Sequence, residues 1–340
     1  MRRSITIISL LVAMAILFTA MPAAARTKIT LGISNPSPDY VGVLENHKAR
    51  YGRYPAMFSL WSSWGSRGQG ANKPAPVGSC TYGQGTCFFP RDAVNYLMDR
   101  NITPVIWWQY TNPEFPSQGT FSRYKVITRG THDAYIRQWA NELKLASRAH
   151  NNRPIGVRPF HEATGTWFPW SIGRFDNTVQ NYKGAWRHLH AQFQKVGARK
   201  HARFIWSNYT PRKGSYPGDQ VINYVGFTVL NFGSQKKWRT MTGIVNDFVR
   251  RTKQFSKRPI LITEVASHFK GGNKAKWLRT GYLSAYNKHP RVQGILYLDT
   301  NVPQRGQRHP DWRLIQPKNG SAVAVYRQLV NNPRFTGRLR

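Results

Sequence analysis

The sequence predicts a single α/β domain folded as a closed (β/α)8 TIM barrel, and three observations predict it. Eight short apolar runs, each bounded by Pro, Gly, Asn or Ser, read as strands buried on both faces of a parallel sheet. Stretches with apolar residues at three- and four-residue spacing follow most of them and read as helices. The 340 residues, 40% hydrophobic and 13% aromatic, suit one such barrel, with no linker or repeat to divide the chain. A doubly wound open sheet is the alternative, but no glycine-rich phosphate loop follows any early strand.

Residues 1–25 stand outside this pattern. Arg2 and Arg3 precede an apolar run from Ile5 to Met21, and Ala23, Ala24 and Ala25 follow as a small-residue cleavage site. That is the layout of a secretory signal; an uncleaved membrane anchor is the competing reading, for which the run is short. The expected organisation is a signal over 1–25 and a catalytic barrel over 26–340, secreted or periplasmic.

The strand candidates are 29–33, 57–61, 103–108, 155–160, 203–206, 224–229, 259–263 and 292–298. Helical spacing is clearest over 133–149, where Tyr135, Trp139, Leu143 and Ala146 recur on one face. It is equally clear over 179–196, with Tyr182, Trp186, Leu189 and Phe193, closed by Gly197. Further helices are expected over 90–100, 240–253, 274–287 and 321–331. Trp139 and Trp186, at helix-periodic positions, belong to the core. Cys80 and Cys87 lie in a Gly-rich segment, and a loop-closing disulfide is the default in an exported protein. No ligand pattern for a metal or haem is present, so no cofactor is expected.

The chain carries 50 Lys and Arg against 14 Asp and Glu, a formal net charge of +36. Such a field favours anionic partners. The basic residues are nevertheless scattered through every segment, without a nucleic-acid-binding motif. The expected partner is a polysaccharide, neutral or anionic, with no specific nucleic acid. No membrane insertion is expected once the signal is gone, and the protein is expected to be a monomer.

Against this scarcity of acid, the segment from Val157 to Trp170 stands out. An apolar run ends in His161-Glu162, then enters a loop holding Gly165, Trp167, Pro169 and Trp170. In a barrel, polar residues at the C-terminal ends of strands read as functional. Glu162 follows the fourth strand candidate and Glu264 the seventh, positions that can face each other across the mouth. Two carboxylates over one cleft are the apparatus of glycoside hydrolysis. The competing reading is a buried carboxylate paired with an arginine such as Arg158. Trp61, Trp64, Trp107, Trp108, Trp167 and Trp170 cluster after strand ends, where indole faces can pack on the C–H faces of sugars. At least two or three of them are expected to line the cleft and the rest to be core.

The run from Arg158 to Trp170 resembles the acid/base segment of glycoside hydrolase family 26, whose best-known members are endo-β-1,4-mannanases. The resemblance extends through most of the chain after the signal. Supporting stretches are Trp186-Arg187, Phe204 to Asn208, Tyr216 to Asp219, Val225-Gly226 and Asp311 to Arg313. The resemblance implies a (β/α)8 fold and a retaining mechanism, with Glu162 as general acid/base and Glu264 as nucleophile. It implies that His161 contacts substrate near the cleavage point, that Trp167 lines the cleft and that Arg158 positions the carboxylates. Trp107 and Asn231 complete the expected substrate-binding set.

Two departures bear on specificity. The family commonly has Met-Asn-Gly after His-Glu, where this chain has Ala163-Thr164-Gly165. After Val225-Gly226 it usually has an Asp and then a Tyr whose hydroxyl meets the nucleophile; this chain has Thr228 and Leu230. Two functions are therefore expected. One is an exported retaining β-glycoside hydrolase acting on a mannan-type or acidic polysaccharide. The other is a barrel that binds polysaccharide without cutting it.

Overall fold

The computed structural model describes residues 26–65, 88–111, 122–233, 237–301, 311–315 and 320–339. Eight strands form a closed barrel in chain order, every pairing parallel, with β1 joined to β8. They are β1 (Thr30–Ser34), β2 (Met57–Ser63), β3 (Thr103–Gln109), β4 (Ile155–Pro159), β5 (Ala202–Ser207), β6 (Tyr224–Asn231), β7 (Ile260–Ser267) and β8 (Val292–Leu298). The helices are α1 (Tyr40–Tyr51), α2 (Arg91–Asp99), α3 (Tyr124–Thr128), α4 (Asp133–Ala149), α5 (Val179–Lys195), α6 (Met241–Thr252), α7 (Lys274–Lys288) and α8 (Gly320–Val330). The (β/α)8 architecture is the one expected. Among the described residues no helix is long and apolar enough to cross a membrane. The expected signal and the Cys80–Cys87 disulfide lie outside the described residues.

All eight predicted strands and all six predicted helices are present, with ends shifted by a few residues. The largest shift is in β7, which runs on to Ser267, so Glu264 sits inside the strand rather than after it. Two helices lie beyond the periodicity argument. In α1 the buried stripe is Leu44, His47 and Tyr51, interrupted by an imidazole; α3 is barely one turn. Helix starts obey ordinary capping chemistry: Thr178, Thr240 and Asn273 each accept the N–H three residues on.

Strand alternation produces two packed layers. Inward residues Met57, Val105, Trp107, Ile205, Tyr224, Leu261 and Leu296 fill the barrel, while outward residues pack on the helices. Trp108 stacks on Trp139 at 4.0 Å between centroids, and Trp64 sits 4.5 Å from Trp108, all three in the outer layer. Trp186 is also core, as expected. Trp64 and Trp108, two of the candidates for the cleft, are buried beneath helices instead: β3 turns Trp108 outward, and Trp64, just past β2, packs on it.

Inside the barrel, glycine makes room for larger neighbours. A Cβ on Gly226 would come within 2.9 Å of Cγ2 of Ile205 and of Thr263, and within 3.0 Å of Ser207 Cβ. These neighbours are short or β-branched and cannot swing away. Gly226→Ala should therefore destabilise the fold by about 1–3 kcal/mol through overpacking, read as a lower urea midpoint with unchanged slope.

Candidate active site

The backbone turns sharply where β4 ends. Phe160 and Glu162 both have positive φ, 50° and 53°, a region that non-glycine residues enter at a cost. Three contacts hold the turn. Glu162 N–H donates to Ser207 O at 2.7 Å, Gly165 N–H donates to Glu162 O at 2.8 Å, and Trp170 Nε1 donates to His161 O at 2.8 Å. Thr164 ties the loop to the segment after β5, accepting from Thr210 N–H and donating to Thr210 O. The result turns the Glu162 side chain over the mouth of the barrel, where Trp167 Nε1 donates to its Oε2 at 3.0 Å.

Glu264 arrives from β7 by a different device. Phe227 faces Ile262 across β6 and β7, yet the next residue, Thr228, faces Glu264. On the other side, Ile262 faces Ile295 while Val265 faces Tyr297. Both neighbours therefore register one extra residue in β7 after Ile262. Such a bulge re-aims the side chains beside it. Here it seats Thr263 inward, its hydroxyl against Ser207 Oγ and Phe227 O, and places Glu264 beside Thr228.

Thr228 joins the two carboxylates. Its Oγ1 lies 2.7 Å from Glu162 Oε1 and 3.1 Å from Glu264 Oε2. The gap between those two oxygens cannot exceed the sum of these lengths, so a single hydroxyl bridges the pair. The hydroxyl that the family resemblance places on a tyrosine two positions on, where this chain has Leu230, is thus supplied by Thr228.

Arg158, on β4 and 0% exposed, anchors the pair from below. Its Nη2 donates to Glu264 Oε2 at 3.1 Å and to Ser207 Oγ at 2.9 Å, and its guanidinium lies 4.1 Å above the Trp107 ring. Burial pushes the Glu264 carboxyl up from 4.5 to about 7; Arg158 opposes that rise and the neighbouring Glu162 adds to it. His161 is buried among Trp61, Trp107, Phe168 and Trp170. Burial, with Arg158 nearby, holds its imidazole well below the usual range, so it is neutral. Its Nδ1 has no hydrogen-bond partner among the described residues.

The structure brings Arg158, His161, Glu162, Trp167 and Glu264 together. Trp167 is the open face of the group, 48% exposed, with the half-exposed Tyr209 set edge-on at 4.9 Å. Trp107 is fully buried and forms the floor beneath Arg158, with Trp61 packed 4.0 Å away. Trp170 is buried too, stacked 4.3 Å from Phe168. Asn231 is committed to the frame: its amide donates to Ser267 Oγ and accepts from Arg239 N–H. Of the six tryptophans after strand ends, Trp61 and Trp167 keep exposure. Tyr209 carries no signal of a site in the sequence, and Thr228 stands out there only as a departure from the family pattern. Inward alternation at the ends of β5 and β6 is the signal that marks Ser207 and the hydroxyl of Thr228. Beside Thr228 a cavity of about 250 Å³ opens between β6 and α6, lined by Tyr209, Leu230, Phe232, Arg239, Asp247 and Arg251 among others.

Gly165 is what lets Trp167 reach Glu162. A Cβ there would sit 2.6 Å from the indole Cζ2. Gly165→Val should displace the ring and break the bond to Glu162, seen as a red-shifted, more quenchable Trp fluorescence with the rest of the fold retained.

Comparison with known proteins gives the family and the fold. The profile of glycosyl hydrolase family 26 matches residues 94–270, just over half the chain. Endoglucanase H of Acetivibrio thermocellus is 30% identical over 244 residues, covering 68% of this chain and 24% of that protein. Mannan endo-1,4-beta-mannosidase A and B of Caldalkalibacillus mannanilyticus is 30% identical over 197 residues, covering 50% of this chain and 37% of that protein. The chain thus spans between about a quarter and just over a third of these curated relatives. A family 26 β-mannanase from Bacteroides ovatus superposes with a TM-score of 0.63 at 17% identity, over 91% of this chain and 90% of the other. The catalytic domain of a Bacillus sp. JAMB-750 endo-β-1,4-mannanase gives 0.61 at 14%, over 91% and 88%. The structural likeness is one of fold. With the profile match, it follows that the chain belongs to glycosyl hydrolase family 26.

Proposed function

We propose that this protein cuts β-linkages within a polysaccharide with net retention, Glu162 acting as general acid/base and Glu264 as nucleophile. The observation that carries the reading is the spacing of the two carboxylates about one hydroxyl. A double displacement wants them about 5–5.5 Å apart, close enough for one to attack the sugar directly. In the first step the Glu162 proton passes to the glycosidic oxygen, the C1–O bond breaks and a bond from Glu264 to C1 forms. In the second, Glu162 takes a proton from water, whose oxygen attacks C1 and releases Glu264.

The proton inventory fits. Two carboxylates this close in a buried site resist ionising together, so the pair keeps one proton to about pH 7. Arg158 favours charge on Glu264 and so restrains the rise that burial and Glu162 impose on it. Trp167, exposed beside Glu162, offers a flat apolar face to a sugar ring, and Tyr209 extends it. His161, neutral and donor-competent, offers a polar contact below.

The backbone of the substrate is read as a neutral β-1,4-linked mannan or glucan, on the strength of the activities in the names of the two curated relatives. An anionic β-polysaccharide is favoured by one separate observation, the net charge of +36 together with Arg239 and Arg251 in the cavity wall. Export, the Cys80–Cys87 disulfide and a monomeric state belong to the same reading. The non-catalytic alternative leaned on Leu230, and the hydroxyl of Thr228 weighs against it.

Reducing-sugar release should be measured for wild type, Glu162→Ala and Glu264→Ala over β-mannan, mixed-linkage β-glucan and uronate-containing β-glycans. Both variants should lose at least about 10³-fold on the polymer the wild type cuts, and the first product seen by proton NMR should be the β anomer. Equal near-zero release by all three on a polymer the protein binds would favour binding without turnover. The rate should fall as pH rises through about 7, where the pair loses its last proton.

Stability should track the same group. A carboxyl raised from 4.5 to about 7 on folding favours the native state below 4.5 and progressively less as pH rises through 7. Across that window the wild type should lose urea midpoint relative to Glu264→Gln; a constant difference between the two would contradict the shift.

A further inference from the structure

We propose that Thr228 is a positioning residue that decides which carboxyl of the pair holds the proton, and that its single hydroxyl hydrogen tracks the negative charge through the reaction. This rests on the double displacement read above and deepens it.

A threonine hydroxyl has one hydrogen to donate and lone pairs to accept with. Thr228 Oγ1 is nevertheless within bonding distance of two carboxyl oxygens, 2.7 Å from Glu162 Oε1 and 3.1 Å from Glu264 Oε2. If both carboxyls were ionised, one contact would set oxygen lone pairs against each other. Both contacts are satisfied when one carboxyl is protonated. That acid donates to Oγ1, and the hydroxyl hydrogen is donated to the remaining carboxylate.

The surroundings fix the direction of this chain of bonds. Glu264 Oε2 already receives Arg158 Nη2, a cation that favours the ionised form. Glu162 receives the neutral Trp167 Nε1 on its other oxygen, Oε2, which leaves Oε1 to meet Thr228. The other charged groups around Thr228 come from α6 and the segment before it, where Arg239, Asp247 and Arg251 line the adjoining cavity. Ser207 on β5 and Thr263 on β7 contribute uncharged hydroxyls. Thr228 itself is held in register opposite Glu264 by the β7 bulge, and its branched Cβ restricts χ1.

The hydrogen then has a defined itinerary. In the free protein it points to Glu264. When Glu264 becomes the neutral glycosyl ester and Glu162 has given up its proton, the negative charge lies on Glu162. The Thr228 hydrogen turns to Glu162 Oε1 and holds that carboxylate for its work as base. Water then returns a proton to Glu162, Glu264 is released as a carboxylate, and the hydroxyl turns back. The hydrogen never leaves Oγ1, so the reaction needs no co-reactant.

The chain has five Glu, so protein labelled with ¹³C at the glutamate side-chain carboxyls gives a readable spectrum. Glu162→Gln and Glu264→Gln assign the two signals. With Thr228→Val, isosteric but without the hydroxyl, the Glu264 signal should titrate about one pH unit higher, the worth of one hydrogen bond to a charged group. Thr228→Ser should restore the wild-type titration. An unmoved Glu264 signal in Thr228→Val would overturn the proposal, as would Thr228→Ser shifting it as far as Thr228→Val. A matched urea midpoint in the two variants keeps folding out of the comparison. Titration needs no substrate, so absence of hydrolysis would strike the proposed reaction while leaving this result to stand or fall separately.

Discussion

A guanidinium with no exposure at the centre of a barrel is the constraint around which this structure is arranged. Arg158 spends one nitrogen on Ser207 and Glu264 and rests its plane on Trp107. Its Nε and Nη1 have no hydrogen-bond partner among the described residues. Breaking such a pair by removing one partner costs about 3–5 kcal/mol, because the other charge is left buried and alone. Glu264 therefore answers to two demands. The fold needs a carboxylate beside Arg158, and the proposed chemistry needs a nucleophile that is ionised when the acid is not. Burial raises its carboxyl and Arg158 restrains the rise, and that balance is what lets one group serve both.

The two glutamates reach the mouth by unlike routes, and both routes are departures from regular structure. Glu162 is delivered by a turn in which two side-chain-bearing residues hold positive φ, a conformation costing of order 1–3 kcal/mol each. Glu264 is delivered by an extra residue in β7 that both neighbouring strands register. Hydrogen bonds from β5 close the arrangement: Ser207 takes the Glu162 N–H through its carbonyl and Arg158 through its hydroxyl. One residue thus supports both halves of the pair. Irregularity concentrated at the ends of β4 and within β7 is where strain would be tolerated for function.

Much of this was legible in the chain. Alternating apolar runs and helical periodicity located every strand, and the acid-poor composition made Glu162 and Glu264 conspicuous. The register of β7 was not legible, because one added residue leaves the apolar pattern of Ile260 to Ile262 unchanged while displacing every residue after it. Tryptophan was misleading for a related reason. Trp107 and Trp108 are adjacent, so a strand must send them to opposite faces, one into the barrel and one under the helices, and neither into the cleft. Asn231 has the position of a cleft residue but is spent bracing Ser267 and Arg239. In the sequence Thr228 reads as the loss of a family acid, since a hydroxyl two residues before Leu230 reveals its partner only once the bulge is known.

Covalent attachment of Glu264 to the sugar is tested most directly by trapping. The protein would be incubated with 2-deoxy-2-fluoro β-mannobiosyl and β-cellobiosyl fluorides, and the proteolytic peptides analysed by mass spectrometry. The expected result is a fluoroglycosyl adduct on Glu264, in the peptide that spans β7, formed at a rate little changed by Glu162→Ala because fluoride leaves without acid assistance. An adduct on another residue, or turnover of a polymer with no adduct under any trapping condition and an α-configured first product, would contradict it.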